Sequence, residues 1–196
     1  IELPIVPKKD DIVSADNFIQ ESKVRIDGTY VNAKGKEIAI EANKYGVCAE
    51  WYKTMLAVTT YKQLAEMYFD GDDWSMEKDF PSLSILRKHK GSILPYGLVV
   101  DSTEKFENNF RIAFFGNSES EISYTDYAVG NVIVRHQSKV KIKASGNAKV
   151  FVNLIDEARV EIEATDNAEV IIYNYGPRTN YHNQGNVQVK KSSWEK

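Results

Sequence analysis

Residue types that could do chemistry are few in this chain and stand far apart. The one cysteine, Cys48, would need a neighbouring base to act as a nucleophile. It instead shares a helical spacing of i, i+3, i+4, i+7 with Trp51, Tyr52 and Met55, which reads as a small hydrophobe on a packed stripe. The three histidines, at 89, 136 and 182, have no metal-ligand spacing. The acidic stretch DGDDWSMEKD at 70–79 invites a calcium reading. An EF-hand loop needs oxygen ligands at alternate positions, however, and the third of these is Trp74, with no glycine following. A capped, solvated turn accounts for it better. The basic run RKHKG at 87–91 could touch phosphate, and three short helices could form a helix-turn-helix. The same cations occupy a helix's last turn, where the macrodipole favours them.

The richest stretch is YNYGPRTNYHNQGN, residues 173–186. Read as a loop, it offers Tyr175, Arg178, Asn180, Tyr181 and His182, with Asn183: flat aromatic surfaces beside planar hydrogen-bonding groups. That mixture suits a sugar ring or a protein partner. The plainer reading is a cap on the end of a β-stack, with the tyrosines over the open core. Glycan-cleaving β-helices need a groove with paired carboxylates, or a carboxylate with Lys or Arg, and no such set can be assigned here. No catalytic constellation, cofactor site or metal site is expected.

Composition sets the outer bounds. The 196 residues carry 42% hydrophobic side chains, enough for a packed core, and a formal charge of -3 with acidic and basic residues interleaved. That balance argues against non-specific nucleic-acid binding. No apolar run approaches the roughly 20 residues of a membrane span. One cysteine permits no internal disulfide, and there is no Asn-x-Ser/Thr sequon. The chain starts at Ile1 rather than Met, which leaves an upstream leader open; a cytoplasmic or virion-associated address is expected before a membrane one.

The elements that must position these groups fall into four stretches. Residues 1–20, with their prolines and charges, read as an arm. Within 21–95, alternation predicts a β-hairpin, with Val24, Ile26, Tyr30 and Val31 on one strand and Ile38 and Ile40 on the return. Helical periodicity follows from about 46: the Cys48 stripe, then Tyr61, Leu64, Ala65 and Tyr68, with Thr60 and Gln63 at capping-box spacing and Gly71 as the stop. PSLSILRKHKG predicts a further helix ending at Gly91.

Residues 96–190 change period again, and 191–196 form a tail. Apolar-x-apolar pairs recur at 112/114, 122/124, 132/134, 140/142, 150/152, 160/162 and 170/172, nearly every ten residues, with Val187/Val189 after an insertion. A fixed short period marks a stacked architecture. Either an antiparallel meander or a β-solenoid with two strands per coil fits. The residues between the paired positions favour the solenoid, because every second set shares one outer face. One set is apolar (Ala113, Ile133, Phe151, Ile171) and the other polar (Ser123, Lys141, Glu161). Lys141 would then stack near Glu161 and Lys143 near Glu163 at the strand spacing of ~4.8 Å, with Lys139 unfavourably over Arg159.

YKQLAEMYFDGDDWSMEKDFPSLSILRKHKG followed by SKVKIKASGNAKVFVNLIDEARVEIEATDNAEV resembles small proteins carried by bacteriophages and mobile elements of gut Bacteroidales. These pair a short helical segment with Asn-Ala-x-Val-x-Val repeats. The likeness spans about residues 45–190, and it implies no activity or site. The fold class expected is therefore α+β, mainly β: a hairpin and short helices, then a C-terminal β-solenoid. The expected function is a non-enzymatic structural or protein-interaction role on a rigid solenoid platform. Ile133, Phe151 and Ile171 would be its packing or assembly face, for self-association or a protein partner. A carbohydrate-binding module using 173–186 is the alternative.

Overall fold

The computed structural model describes residues 23–26 and 29–194. The predicted arm lies outside them. The chain divides into two compact units, residues 1–66 and 67–196. The boundary falls within a helix, and the later helices belong with the solenoid's unit.

In the first unit, β1 (Lys23–Ile26) pairs antiparallel with β2 (Thr29–Asn32). The predicted return strand through Ile38 and Ile40 does not form. Those residues lie in α1 (Ala33–Lys44), which buries Ile38, Ala39 and Ala42 and leaves Ile40 exposed. Ile-x-Ile alternation is too short to outweigh the helix preference of a segment rich in Ala, Glu and Lys. Helix α2 (Ala49–Ala57) buries Met55. Cys48 is its N-cap residue, with extended backbone, and is exposed, so it is not part of the packed stripe. Helix α3 (Tyr61–Asp70) opens on the predicted capping box. The Gln63 N–H donates to Thr60 Oγ1 (3.1 Å), and Gln63 Oε1 accepts from the Thr60 N–H (3.2 Å).

The second unit takes in the end of α3, then α4 (Asp72–Lys78), α5 (Leu83–Ile93) and a 3-10 turn (Leu94–Tyr96). Helix α5 runs through Gly91 instead of stopping there, and it buries Leu86, His89 and Ile93. Beyond it the chain winds into two parallel sheets. One holds β4 (Lys105–Glu107), β6 (Glu119–Tyr124), β8 (Lys139–Ala144), β10 (Arg159–Ala164) and β12 (Asn180–Gln184). The other holds β3 (Leu98–Val100), β5 (Arg111–Phe115), β7 (Val129–Val134), β9 (Lys149–Leu154), β11 (Glu169–Asn174) and β13 (Val187–Lys191). Strands skip one neighbour in sequence and pair in parallel with the next, which is the β-solenoid and excludes the meander.

Register explains the repeat. Gly130 lies beside Val150, Val140 beside Val160 and Val150 beside Val170, so each middle coil takes twenty residues. The six-residue strands of the middle coils point three residues inward rather than two. β8 supplies Val140, Ile142 and Ala144, and β9 supplies Val150, Val152 and Leu154, all buried. The apparent eight-residue step between 132 and 140 disappears once Ser120 and Gly130 are recognised as the first inward positions of β6 and β7. Both depart from Val for a local reason. Ser120 Oγ donates to the Ser102 carbonyl (3.0 Å). A Cβ on Gly130 would stand 2.3 Å from Cζ of Tyr124, whose ring fills that space and whose hydroxyl donates to the Asn109 carbonyl (2.8 Å).

The recurring Ala-x-Val phrase answers to the corners. A small residue ends each turn: Ser118, Ser138, Ala148, Ala158 and Ala168 are all buried. Two positions earlier the backbone is left-handed at Gly116, Asp126, His136, Gly146, Asp156 and Asp166, where Gly is unstrained and Asp is tolerated. A buried Val or Ile side chain contributes about 1.5–3 kcal/mol, and every inward position repeats that gain on the coil before.

The outer faces follow the register with two corrections. Phe151 aligns with Ile171, as expected, but Ile133 aligns with Asn153, and Asn131 is the neighbour of Phe151. The expected apolar column is therefore split. Ile133 is only 2% exposed, while Phe151 and Ile171 are half-buried, so the three do not form one free assembly face. On the polar sheet Lys141 meets Glu161 (2.9 Å) as expected, and also Glu163 (2.7 Å). Ser123 aligns with Lys143, not Lys141. Lys143 pairs with Glu121 (3.0 Å), and Lys139, which does lie over Arg159, turns to Glu119 (2.7 Å).

Candidate functional site

One corner of the solenoid becomes a groove because the turns after β5, β7 and β9 stack there beside α5. It encloses about 460 Å³ and is open to solvent. Asn117, Gln137 and Glu157 each follow a left-handed residue of one coil, so they recur every twenty residues as a ladder; Arg87 of α5 and Arg178, between β11 and β12, flank it. Leu83 supplies the apolar part of the wall.

Beneath the groove, Arg135 organises the helices on the solenoid. It is 1% exposed, in a position occupied by Phe115 one coil earlier and Ile155 one coil later. Its Nη1–H donates to the Ser75 carbonyl (3.1 Å) and its Nη2–H to the Met76 carbonyl (3.1 Å), in the last turn of α4. The Ser75 carbonyl also accepts the Asp79 and Phe80 N–H groups, so Arg135 adds to the helix's own C-cap, and a cation there matches the dipole. Nη2 approaches Asp79 Oδ1 (3.2 Å), and Nε lies 3.5 Å from Asp156 Oδ2, an ion-pair distance rather than a hydrogen bond. The end of α3 adds an edge-to-face contact between Tyr68 and Phe115 (5.5 Å between centroids) and the ion pair Asp70–Arg111 (2.8 Å). Full burial pushes the Tyr68 hydroxyl up to about 12, with nearby Arg135 opposing the shift.

His136 links this anchor to the groove wall. The Gly116 N–H donates to its Nδ1 (3.0 Å), so that nitrogen is an acceptor and the ring proton sits on Nε2, which donates to Asp79 Oδ1 (2.9 Å). Both ring nitrogens are therefore committed. That hydrogen bond, with Arg135 beside it, holds the Asp79 carboxyl below its usual range. Asp156 Oδ2 accepts the His136 N–H (2.9 Å), continuing the corner ladder. Asp101 takes a bidentate pair from Arg87 (2.7 and 3.1 Å), the main cause of its lowered pKa, and its Oδ1 also accepts the Asn117 N–H (2.9 Å).

Of the binding residues predicted in 173–186, only Arg178 reaches the groove, where it pairs with Glu157 (2.6 Å); Arg87 of the basic run and His136 line it too. The stretch 173–186 is not one loop. Tyr175 is stacked on Trp194 (4.1 Å between centroids). Asn180, Tyr181 and His182 lie on β12, opposite Arg159, Val160 and Glu161 of β10. Strand alternation therefore puts Tyr181 on the core side and Asn180 and His182 on the outer side, so these residues do not share one face. His89 is buried in α5, far in sequence and fold from His182. Among the described residues no cluster of three His, Cys, Asp or Glu is placed to hold a metal. Asp72 and Asp73 sit in the first turn of α4, and half-burial and the charge of Asp73 raise the Asp72 pKa. No described helix is long and apolar enough to cross a membrane. Sequence reasoning missed Arg135, and it weighed His136 only as one of three scattered histidines. The one available signal was a charged residue where neighbouring coils have Phe115 and Ile155.

Comparison of the chain with protein-family models, curated proteins and solved structures found no match. None of these comparisons links the chain to phage or mobile-element proteins.

Proposed function

We infer that this is a non-enzymatic interaction protein whose solenoid is a rigid platform and whose last coil receives a further strand from a second copy of the chain. The observation that carries this reading is the difference between the solenoid's two ends. At the N-terminal end, α5 and the 3-10 turn pack against β3, and Leu94 lies against the core. At the other end β12 and β13 are edge strands. Tyr181 and Val189 hold core-register positions there, opposite Val160 and Ile172, yet are 41% and 37% exposed. Asn183 Oδ1, on the core side of β12, is buried without a hydrogen-bond partner among the described residues.

Edge strands are commonly protected by lysine. β13 ends in Lys190 and Lys191, whereas β12 reads Asn-Tyr-His-Asn-Gln, with amides that can both donate and accept. β12 is thus the more receptive edge. The engagement of both His136 nitrogens, and the separation of Cys48, His89 and His182 onto different elements, support the non-enzymatic part of the reading.

Light scattering coupled to size exclusion tests it. The full chain is expected to gain mass with concentration, and Tyr181→Lys to remain at monomer mass with unchanged circular dichroism. Monomer mass for both proteins at every concentration contradicts the proposal.

A further inference from the structure

We propose that the corner groove binds an uncharged oligosaccharide. The ladder of Asn117, Gln137 and Glu157, flanked by Arg87 and Arg178, presents planar hydrogen-bonding groups along one open channel of about 460 Å³, within the range of small-molecule sites. Its charges are already matched: Arg87 with Asp101, Arg178 with Glu157, and Arg135 with Asp79 and Asp156. An ionic ligand would have to break one of these pairs. A polyhydroxylated neutral ligand keeps them and uses what remains. Among the described residues, no hydrogen bond engages the Asn117 side-chain amide or Gln137 Oε1, and Arg178, 73% exposed, uses only Nη1 for Glu157. Hydroxyls both donate and accept, which suits amides, a guanidinium and a carboxylate side by side.

A peptide fits less well. Protein docking relies on buried aromatic or aliphatic anchors, and Leu83 is the groove's one aliphatic side chain. The site is rigid because its floor is fixed from both sides. His136 is held by Gly116 and Asp79, and Asp101 binds both α5 and the Asn117 turn. Preorganisation of this kind lowers the cost of ordering on binding. The sugar reading therefore moves from β12, where the predicted residues are dispersed, to the corner that Arg178 shares. It stands independently of the assembly through the last coil.

The test is a nitrogen-15 titration of the full chain with cellobiose, lactose, diacetylchitobiose and digalacturonate, after a glycan array has widened the panel. Saturable shifts at the Asn117 and Gln137 side-chain amides with a neutral sugar are expected. Binding should weaken about tenfold in Gln137→Ala and in Arg178→Ala, with melting temperature retained and little change on adding salt. Shifts confined to digalacturonate or to an acidic peptide control, or none with any sugar bound on the array, overturn the proposal. So does neutral-sugar binding that both substitutions leave intact.

Discussion

Replacing Arg135 with isoleucine keeps a side chain of the kind that occupies Ile155 one coil later, but removes the guanidinium from beneath α4. Two charge-assisted hydrogen bonds, to the Ser75 and Met76 carbonyls, are lost. At about 1.5–2 kcal/mol each they account for about 3–4 kcal/mol. Asp79 and Asp156 are partly exposed, so water takes over much of their solvation and each pair adds less than about 1 kcal/mol. The expected loss is about 4 kcal/mol, the size found when one partner of a buried ionic group is removed. Urea titration followed by circular dichroism measures it. Hydrogen exchange should show that the α4 amides lose protection first, since a seven-residue helix has little stability without packing. Arg135→Lys should recover only part of the loss, because an ammonium cannot hold two carbonyls and a carboxylate with the geometry of a planar fork. A loss under about 1 kcal/mol for Arg135→Ile, or full recovery with Lys, would refute the reasoning.

Other perturbations probe separate parts of the structure. Gly130→Val restores the residue type of neighbouring coils but collides with Tyr124; it should cost about 1–3 kcal/mol, and much less in a Tyr124→Val background, a coupling that a double-mutant cycle measures. Asp79 has a folded-state pKa below its ordinary 3.8, so its contribution is fully present above about pH 4 and lost as pH falls through the lowered value. Asp79→Asn should therefore destabilise the protein at neutral pH, and the difference from wild type should close in acid, as denaturant melts across pH will show. Gly97 has φ of 83° and no room for a Cβ, which would lie 2.6 Å from the Arg111 carbonyl oxygen; Gly97→Ala should lower the melting temperature of the solenoid by weakening the junction of α5 with β3.

Much of the solenoid could be read from spacing because each coil buries its own Val and Ile at a fixed interval, so local pattern and tertiary register coincide. Legibility ended wherever a core position was filled by something other than an aliphatic side chain. Ser120 and Gly130 concealed the third inward position, and β12, with Tyr181 and Asn183 facing inward, looked like a loop. In α1 the Ile38–Ile40 alternation misled, since the buried positions are Ile38, Ala39 and Ala42 at helical spacing and Ile40 is exposed. The groove was harder still. Its lining comes from turns twenty residues apart and from α5, and the acceptors that give Arg135 its role lie 59 and 60 residues away. No local pattern encodes that meeting. The capping box at Thr60 and Gln63 shows the opposite case, a device contained within four residues and therefore visible without a fold.

Amide hydrogen exchange on β12 and β13 as a function of protein concentration tests the assembly reading most directly, since it observes the edge itself. The account predicts that β12 amides exchange rapidly in dilute solution and become protected as concentration rises, while β7, β8 and β9 stay protected throughout. Exchange on β12 that does not depend on concentration, or concentration-dependent protection confined to the Phe151–Ile171 face, would contradict it.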